Sequence, residues 1–193
     1  VRIHAAGVNP MEKYIALGYY TEMFSVPITL GRDFAGEVVS VGSNVHHVKA
    51  GDAVFGMSPM QSTFAEYATI NAQGVALKPK TLDDVQAAAV PVVALSAWQT
   101  VFNMANLQAG ERILIHGAGG GIGAFAVQLA KNAGAYVIGL GKSDQAAFIQ
   151  ELGADQFVDA DTQRFEDVIE AVDVILDLVG GDYVDRSLNF LNS

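Results

Sequence analysis

The sequence predicts an α/β protein in two parts, a β-rich first half and a doubly wound parallel sheet in the second. Three observations carry this. Up to about residue 80 the chain runs through short strand-like stretches broken by Gly- and Pro-bearing turns. From Arg112 onward, apolar runs alternate with segments of helical spacing, the pattern of parallel strands joined by right-handed crossovers. At Arg112–Ala126 an Ile/Leu-rich run ends in five small residues and resumes at helical spacing, which reads as strand, glycine turn, helix.

Val1 to Val8 alternates as a strand, with Val1, Ile3 and Ala5 against Arg2 and His4. No turn signal precedes it, so the first part is expected to be incomplete at its N-terminus. Pro10 suits the first turn of a helix Met11–Leu17, which Gly18 ends. Strands are predicted at Phe34–Val41, Val45–Val48, Ala53–Phe55, Phe64–Ile70 and Val75–Leu77, a barrel or sandwich series. Thr81 is placed as the hydroxyl cap of a helix reaching Pro91, and a second helix spans Val93 to Met104. Thereafter come strand Arg112–His116, helix Gly121–Ala133, strand Tyr136–Leu140, helix Ser143–Leu152, strand Gln156–Val158, helix Phe165–Ala171 and strand Val172–Leu178. The boundary falls near Pro91, giving domains 1–91 and 92–193. A complete dinucleotide fold has six strands, in the order 3-2-1-4-5-6. Four are found here, so the second domain is expected to be incomplete at its C-terminus.

Composition narrows the function classes. Half the 193 residues are apolar and 17% are charged, enough for a packed core. A net charge of −10 argues against a general nucleic-acid binder, since phosphate backbones need basic surface. No apolar run approaches the ~20 residues of a membrane span, so no membrane partner is expected. There is no cysteine, which removes disulfides and thiolate metal sites and fits a reducing compartment; the cytoplasm is the expected location. The four histidines, His4, His46, His47 and His116, lack zinc spacing, and His46-His47 reads as solvated surface.

The glycine turn calls for an anion. Amides at a helix N-terminus lack partners within the helix, and the macrodipole adds roughly half a positive charge there. Two frames fit, Ala118-x-Gly120-x-x-Gly123 and Gly119-x-Gly121-x-x-Ala124. Ala118, Gly119, Gly120, Gly121, Ile122 and Gly123 are therefore the expected pyrophosphate cradle. About twenty residues on, an NAD-binding unit would place an acid at the tip of the next strand. Here that tip reads Gly141-Lys142-Ser143, which offers room, a cation and a hydroxyl for a 2′-phosphate. NADP(H) is the expected cofactor, with Lys142 on its 2′-phosphate and Ser143 also in position to cap the following helix.

In order, Ala5–Pro10, Gly31–Gly36, Val41–Val45, Gly51–Phe55, Phe64–Ala68, His116–Gly123 and Val174–Gly181 resemble the zinc-independent quinone oxidoreductase branch of the medium-chain dehydrogenase/reductases. The resemblance implies a GroES-like catalytic domain followed by a Rossmann domain, with the cofactor between them; relatives often form homodimers, through a Rossmann edge that this sequence lacks. Where zinc relatives carry Gly-His-Glu this chain has Gly31-Arg32-Asp33, and no metal site is expected. Arg32 and Asp33 are candidates to pair in place of the lost ligands. Asn9, Glu12 and Tyr14 match the family's substrate-side motif, Glu replacing the usual Asp; Asn9 and Tyr14 are the candidate catalytic hydrogen-bond donors. Ser96 matches a position near the nicotinamide carboxamide. The implied reaction is NADPH-dependent hydride transfer to a small-molecule quinone or α,β-unsaturated carbonyl. The alternatives are a redox-silent NADPH-binding regulator or scaffold, and an acyl-chain enoyl reductase.

Overall fold

Antiparallel pairing organises the first part of the chain in the computed structural model, which describes residues 1–24, 26–59 and 62–192. Strands β1 (Arg2–Ala5), β2 (Asp33–Glu37), β3 (Ala53–Met57) and β4 (Val75–Leu77) form one sheet in that order. One side packs Phe34, Val38, Val48, Val54 and Val75 into a core. On the other, Ala35 lies beneath Ala87 and Ala88 of helix α2 (Asp84–Ala88). Helix α1 (Pro10–Ala16) begins on Pro10, whose missing N–H costs nothing at that position.

Three expectations for this part need correction. Val45–Val48 is no strand; a turn, Val45 N–H to Gly42 carbonyl at 3.1 Å, leads it across the sheet, and Val48 still reaches the core. Phe64–Ile70 contributes only the bridge of Tyr67 to Arg2: Ile3 N–H donates to Glu66, and Val1 and Ala68 exchange N–H to carbonyl bonds just before β1 begins. The cap of α2 is Asp83, not Thr81. Asp83 accepts the Gln86 amide at 2.7 Å and Gln86 accepts the Asp83 amide at 3.1 Å, a reciprocal box that Thr81 cannot form two residues earlier.

Helix α3 (Pro91–Trp98) starts at Pro91 and runs on as a π-helical stretch, Gln99–Met104. Beyond it lie β5 (Arg112–His116), α4 (Gly121–Asn132), β6 (Tyr136–Gly141), α5 (Ala146–Glu151), β7 (Gln156–Asp159), β8 (Val174–Asp177) and α6 (Tyr183–Ser187). The four strands are parallel, in the order β7-β6-β5-β8. In β5, Ile113 and Ile115 face α4 with Ala126, Val127 and Ala130. Leu114 faces the opposite layer, with Phe165 and Val172. A sheet covered on both faces explains the near-continuous apolar run in the sequence.

The expected helix Phe165–Ala171 is a single 3-10 turn, Phe165–Asp167. Phe165 anchors it, fully buried, but Val168 leaves the helical region (φ −129°, ψ −5°) and Glu166 is drawn to Arg186 of α6. Contacts divide the chain into two units, Val1–Val92 and Val93–Ser193, each with its own core. Among the described residues, no helix is long and apolar enough to cross a membrane.

Candidate functional site

At the carboxyl end of β5 the backbone reverses through Gly117, whose φ of +70° is reached without strain by glycine. Gly120 is the N-cap of α4 and has no side chain to satisfy the helix start. The amides of Gly121, Ile122 and Gly123 find no backbone acceptor among the described residues, whereas Gly120 bonds Gly117 and Ala124 bonds Gly120. Three N–H groups at the positive end of a 12-residue helix are therefore left without a backbone partner among the described residues. An added Cβ on Gly123 would fall on the Gly117 carbonyl and within 2.8 Å of the Ala118 Cα, so Gly123 lets the helix lie against the strand end. This selects the Ala118-x-Gly120-x-x-Gly123 frame: Gly123 is its close-packing glycine, while buried Ala118 needs no positive φ because Gly117 makes the turn. A Cβ on Gly119 would lie 2.6 Å from the Gln145 Cδ, so the Gln145 side chain lies alongside the turn.

The next strand tip is more acidic in space than in sequence. Gly141 ends β6 and pairs with Asp159 at the end of β7. The Ser143 hydroxyl donates to Asp159, at 2.9 Å from Oδ1 and 2.7 Å from Oδ2, and the Ser143 amide donates to Asp161 Oδ2 at 3.0 Å. The Ser143 hydrogen bond holds the Asp159 carboxyl below its usual range. Ser143 does not cap the following helix: Lys142 precedes the 3-10 turn Ser143–Gln145, and the serine hydroxyl turns to β7. The exposed Lys142 ammonium has no carboxylate partner among the described residues. Asp159 and Asp161 were invisible to motif reading, since they follow Ser143 by 16 and 18 residues, at the end of another strand and in the turn after it. The parallel register that sets Gly141 beside Asp159 is the signal that finds them.

His116, also unforeseen as a site residue, is fully buried beside the turn, its ring between Phe165 and Tyr183 at centroid distances of 5.2 and 4.9 Å. Its Nδ1 is 3.4 Å from Asp177 Oδ1, a long contact rather than a formed hydrogen bond. Burial pushes the imidazole pKa down, so it stays neutral. Burial also works to raise Asp177, but the Val179 and Gly180 amides, at 2.9 and 3.1 Å, outweigh it and hold that carboxyl low.

The substrate-side candidates lie on α1 and at its N-cap, Asn9. Asn9 Nδ2 donates to Asp33 Oδ2 at 2.9 Å, and Asp33 Oδ1 accepts the Val92 amide at 2.8 Å. Burial pushes Asp33 up despite these bonds. Glu12 accepts the Asn9 amide at 2.7 Å and is buried, which makes it the structural partner of the helix start. Tyr14 is 46% exposed, in edge contact with Tyr19 at 5.6 Å, and its hydroxyl meets no partner among the described residues. Arg32 does not pair with Asp33: its Nη1 reaches the Met11 sulfur at 3.0 Å, while Asn9 and Val92 occupy the carboxylate. In the second unit, α3 sets Val93 against Gly121, where a Cβ would lie 3.0 Å from Val93 Cγ1. Ser96 follows one turn later on the same face, half-buried, its carbonyl accepting the Thr100 hydroxyl at 2.9 Å. Among the described residues, no three His, Cys, Asp or Glu side chains come together as metal ligands would.

Two family models match, the alcohol dehydrogenase GroES-like domain over residues 1–80 and the zinc-binding dehydrogenase over residues 121–193. The mouse NAD(P)H oxidoreductase RTN4IP1, mitochondrial, is 35% identical over 214 residues, covering 99% of this chain and 54% of that protein. The Escherichia coli quinone oxidoreductase complexed with NADPH superposes with a TM-score of 0.88 at 32% identity, over 100% of this chain and 61% of that one. The CurK enoyl reductase gives 0.92 at 32% identity, over 100% and 62%. The chain belongs to the medium-chain dehydrogenase/reductase superfamily. It is similar both to quinone oxidoreductase and to enoyl reductase. It spans about half the length of the mouse relative.

Proposed function

We propose that this chain is the cofactor-holding and substrate-facing part of a zinc-independent oxidoreductase. It would pass a hydride from NADPH to a quinone or an α,β-unsaturated carbonyl, in the reducing cytoplasm. The observation that carries the reading is the turn at Gly117–Gly123, with three amides at the start of α4 that find no backbone acceptor among the described residues, in a glycine run flanked by the Gln145 and Val93 side chains. Those amides fit a pyrophosphate, Lys142 fits a 2′-phosphate, and Ser96 fits a carboxamide. When bound, the dihydronicotinamide supplies the hydride, and the rest falls to the protein's electrostatics. A quinone or enone gains negative charge on oxygen as hydride arrives, and donors fixed in advance stabilise it. Tyr14 is the donor we assign: its hydroxyl meets no partner among the described residues, whereas Asn9 already gives one amide proton to Asp33. The substrate is a small molecule, and the unit pairs as a homodimer.

The assay is loss of reduced-nicotinamide absorbance across a panel of quinones, enals and acyl-chain enoyl thioesters, on the protein at its natural length. Turnover by quinones or enals supports the reading, and turnover by the thioesters alone would reassign it to an enoyl reductase. NADPH binding with no turnover on any member would sink the enzymatic reading and leave a redox-silent binding protein.

A further inference from the structure

The tips of β6 and β7 bear on which coenzyme the turn accepts, given that it accepts one. Ser143 has two hydrogen-bond donors, and carboxylates hold both: its hydroxyl sits on Asp159 and its amide on Asp161 Oδ2 at 3.0 Å. An ionised carboxylate only accepts, so the serine must be the donor in the hydroxyl contact. Toward solvent Ser143 Oγ then presents lone pairs. A ribose 2′-hydroxyl can donate to that oxygen or to Asp159 itself. A 2′-phosphate brings acceptor oxygens and about two negative charges, and meets lone pairs backed by two carboxylates. Lys142 pulls the other way, as the cation beside this tip without a carboxylate partner among the described residues.

We propose that Asp159 is a positioning residue that sets coenzyme preference, holding Ser143 in the orientation that weakens 2′-phosphate binding and so lets NADH compete with NADPH. The inference rests on the coenzyme-binding reading above. Within it, preference is a balance between Lys142 on one strand tip and Asp159 on the next. Asp159 also accepts the Asp161 amide at 3.0 Å, and its backbone carbonyl holds the turn to Gln163 at 2.8 Å, so a merely structural role is the competing account.

Asp159→Asn separates the two. The amide keeps one acceptor for the Asp161 N–H, turns a donor toward Ser143 Oγ, frees the hydroxyl proton for a phosphate and removes one charge. The probes are adenosine 2′,5′-bisphosphate and AMP, which share every contact except the 2′-phosphate, with binding measured by calorimetry on the whole chain. Asp159→Asn is expected to raise the affinity ratio of bisphosphate to AMP about three- to fivefold, an effect that shrinks with added salt. Asp161→Asn should raise it in the same direction, and decides the matter if the first variant fails to fold. Lys142→Ala should lower it. A ratio unchanged or lowered in a folded Asp159→Asn or Asp161→Asn chain, with AMP still bound, overturns the proposal while the coenzyme-binding reading stands. Failure of the unsubstituted chain to bind either nucleotide overturns that reading, and this proposal with it.

Discussion

Gly123 and Tyr14 mark the two extremes of what one residue does here. Gly123 matters for what it lacks, because a methyl there meets the Gly117 carbonyl and the Ala118 backbone, which cannot yield as a flexible side chain would. Gly123→Ala is expected to cost about 1–3 kcal/mol in urea unfolding, the range for overpacking a close contact, and to weaken NADPH binding about tenfold as α4 lifts from the strand end. Full stability together with full affinity would show that the cradle does not depend on that approach. Tyr14 matters for what it offers. With its ring half-exposed and its hydroxyl unengaged among the described residues, Tyr14→Phe should leave the melting temperature in place. If it donates to the developing oxyanion, kcat/KM falls about a hundredfold, mostly in kcat. An unchanged kcat/KM would remove it from the reaction.

Among the elements, α6 and the turn at Phe165 show how charge replaces helix. Arg186 grips Glu166 through both oxygens, Nη2 to Oε2 at 2.7 Å, and its guanidinium lies 5.0 Å from the Phe165 and Tyr183 rings. The hydrogen bond from Arg186 takes the Glu166 pKa from its ordinary 4.5 to about 2. A lowered carboxyl stabilises the fold fully above its unfolded value, and loses that contribution as pH falls through the folded one. The melting-temperature advantage of the native chain over Glu166→Gln should therefore be level above about pH 5 and shrink steadily towards pH 2. An advantage independent of pH across that window would mean that packing, not the ion pair, holds the turn.

The same elements show what the sequence made legible. Strand β5 matches its expected limits residue for residue, because a strand buried on both faces is written as one apolar run. The glycine cradle was legible for the same local reason. Phe165–Ala171 misled because a single buried aromatic at helical spacing says nothing about Arg186, twenty residues on, taking Glu166. Val45–Val48 misled because β-branched residues that pack into a core need not pair in a ladder. The acids facing Ser143 were hidden since only register, never spacing, brings one strand tip beside another.

At the scale of the whole molecule, each of the two units has buried clusters of its own, and the chain's single tryptophan lies in the second unit. Trp98 is half-exposed on α3, in edge contact with Phe102 at 4.7 Å, so its fluorescence reports the unfolding of the coenzyme-holding unit. If NADPH binds there, the free energy of the transition seen at Trp98 should rise with ligand, by about 2.7 kcal/mol at a hundred times Kd. A midpoint indifferent to NADPH would argue against the cradle as its site.

The strand order also dictates a sequence of events in time. Residues of β5 meet their β6 partners from Tyr136, but their β8 partners only from Val174. Closing the longer loop costs more chain entropy, so β8 is expected to dock after β5 and β6 have joined. Asp177, whose carboxylate gathers the Val179 and Gly180 amides beside the glycine turn, arrives with that last strand. In pulse-labelled hydrogen exchange during refolding, amides bonded between β5 and β6 should gain protection before those bonded between β5 and β8. A newly made chain would then build the floor of its coenzyme site early and its far wall late.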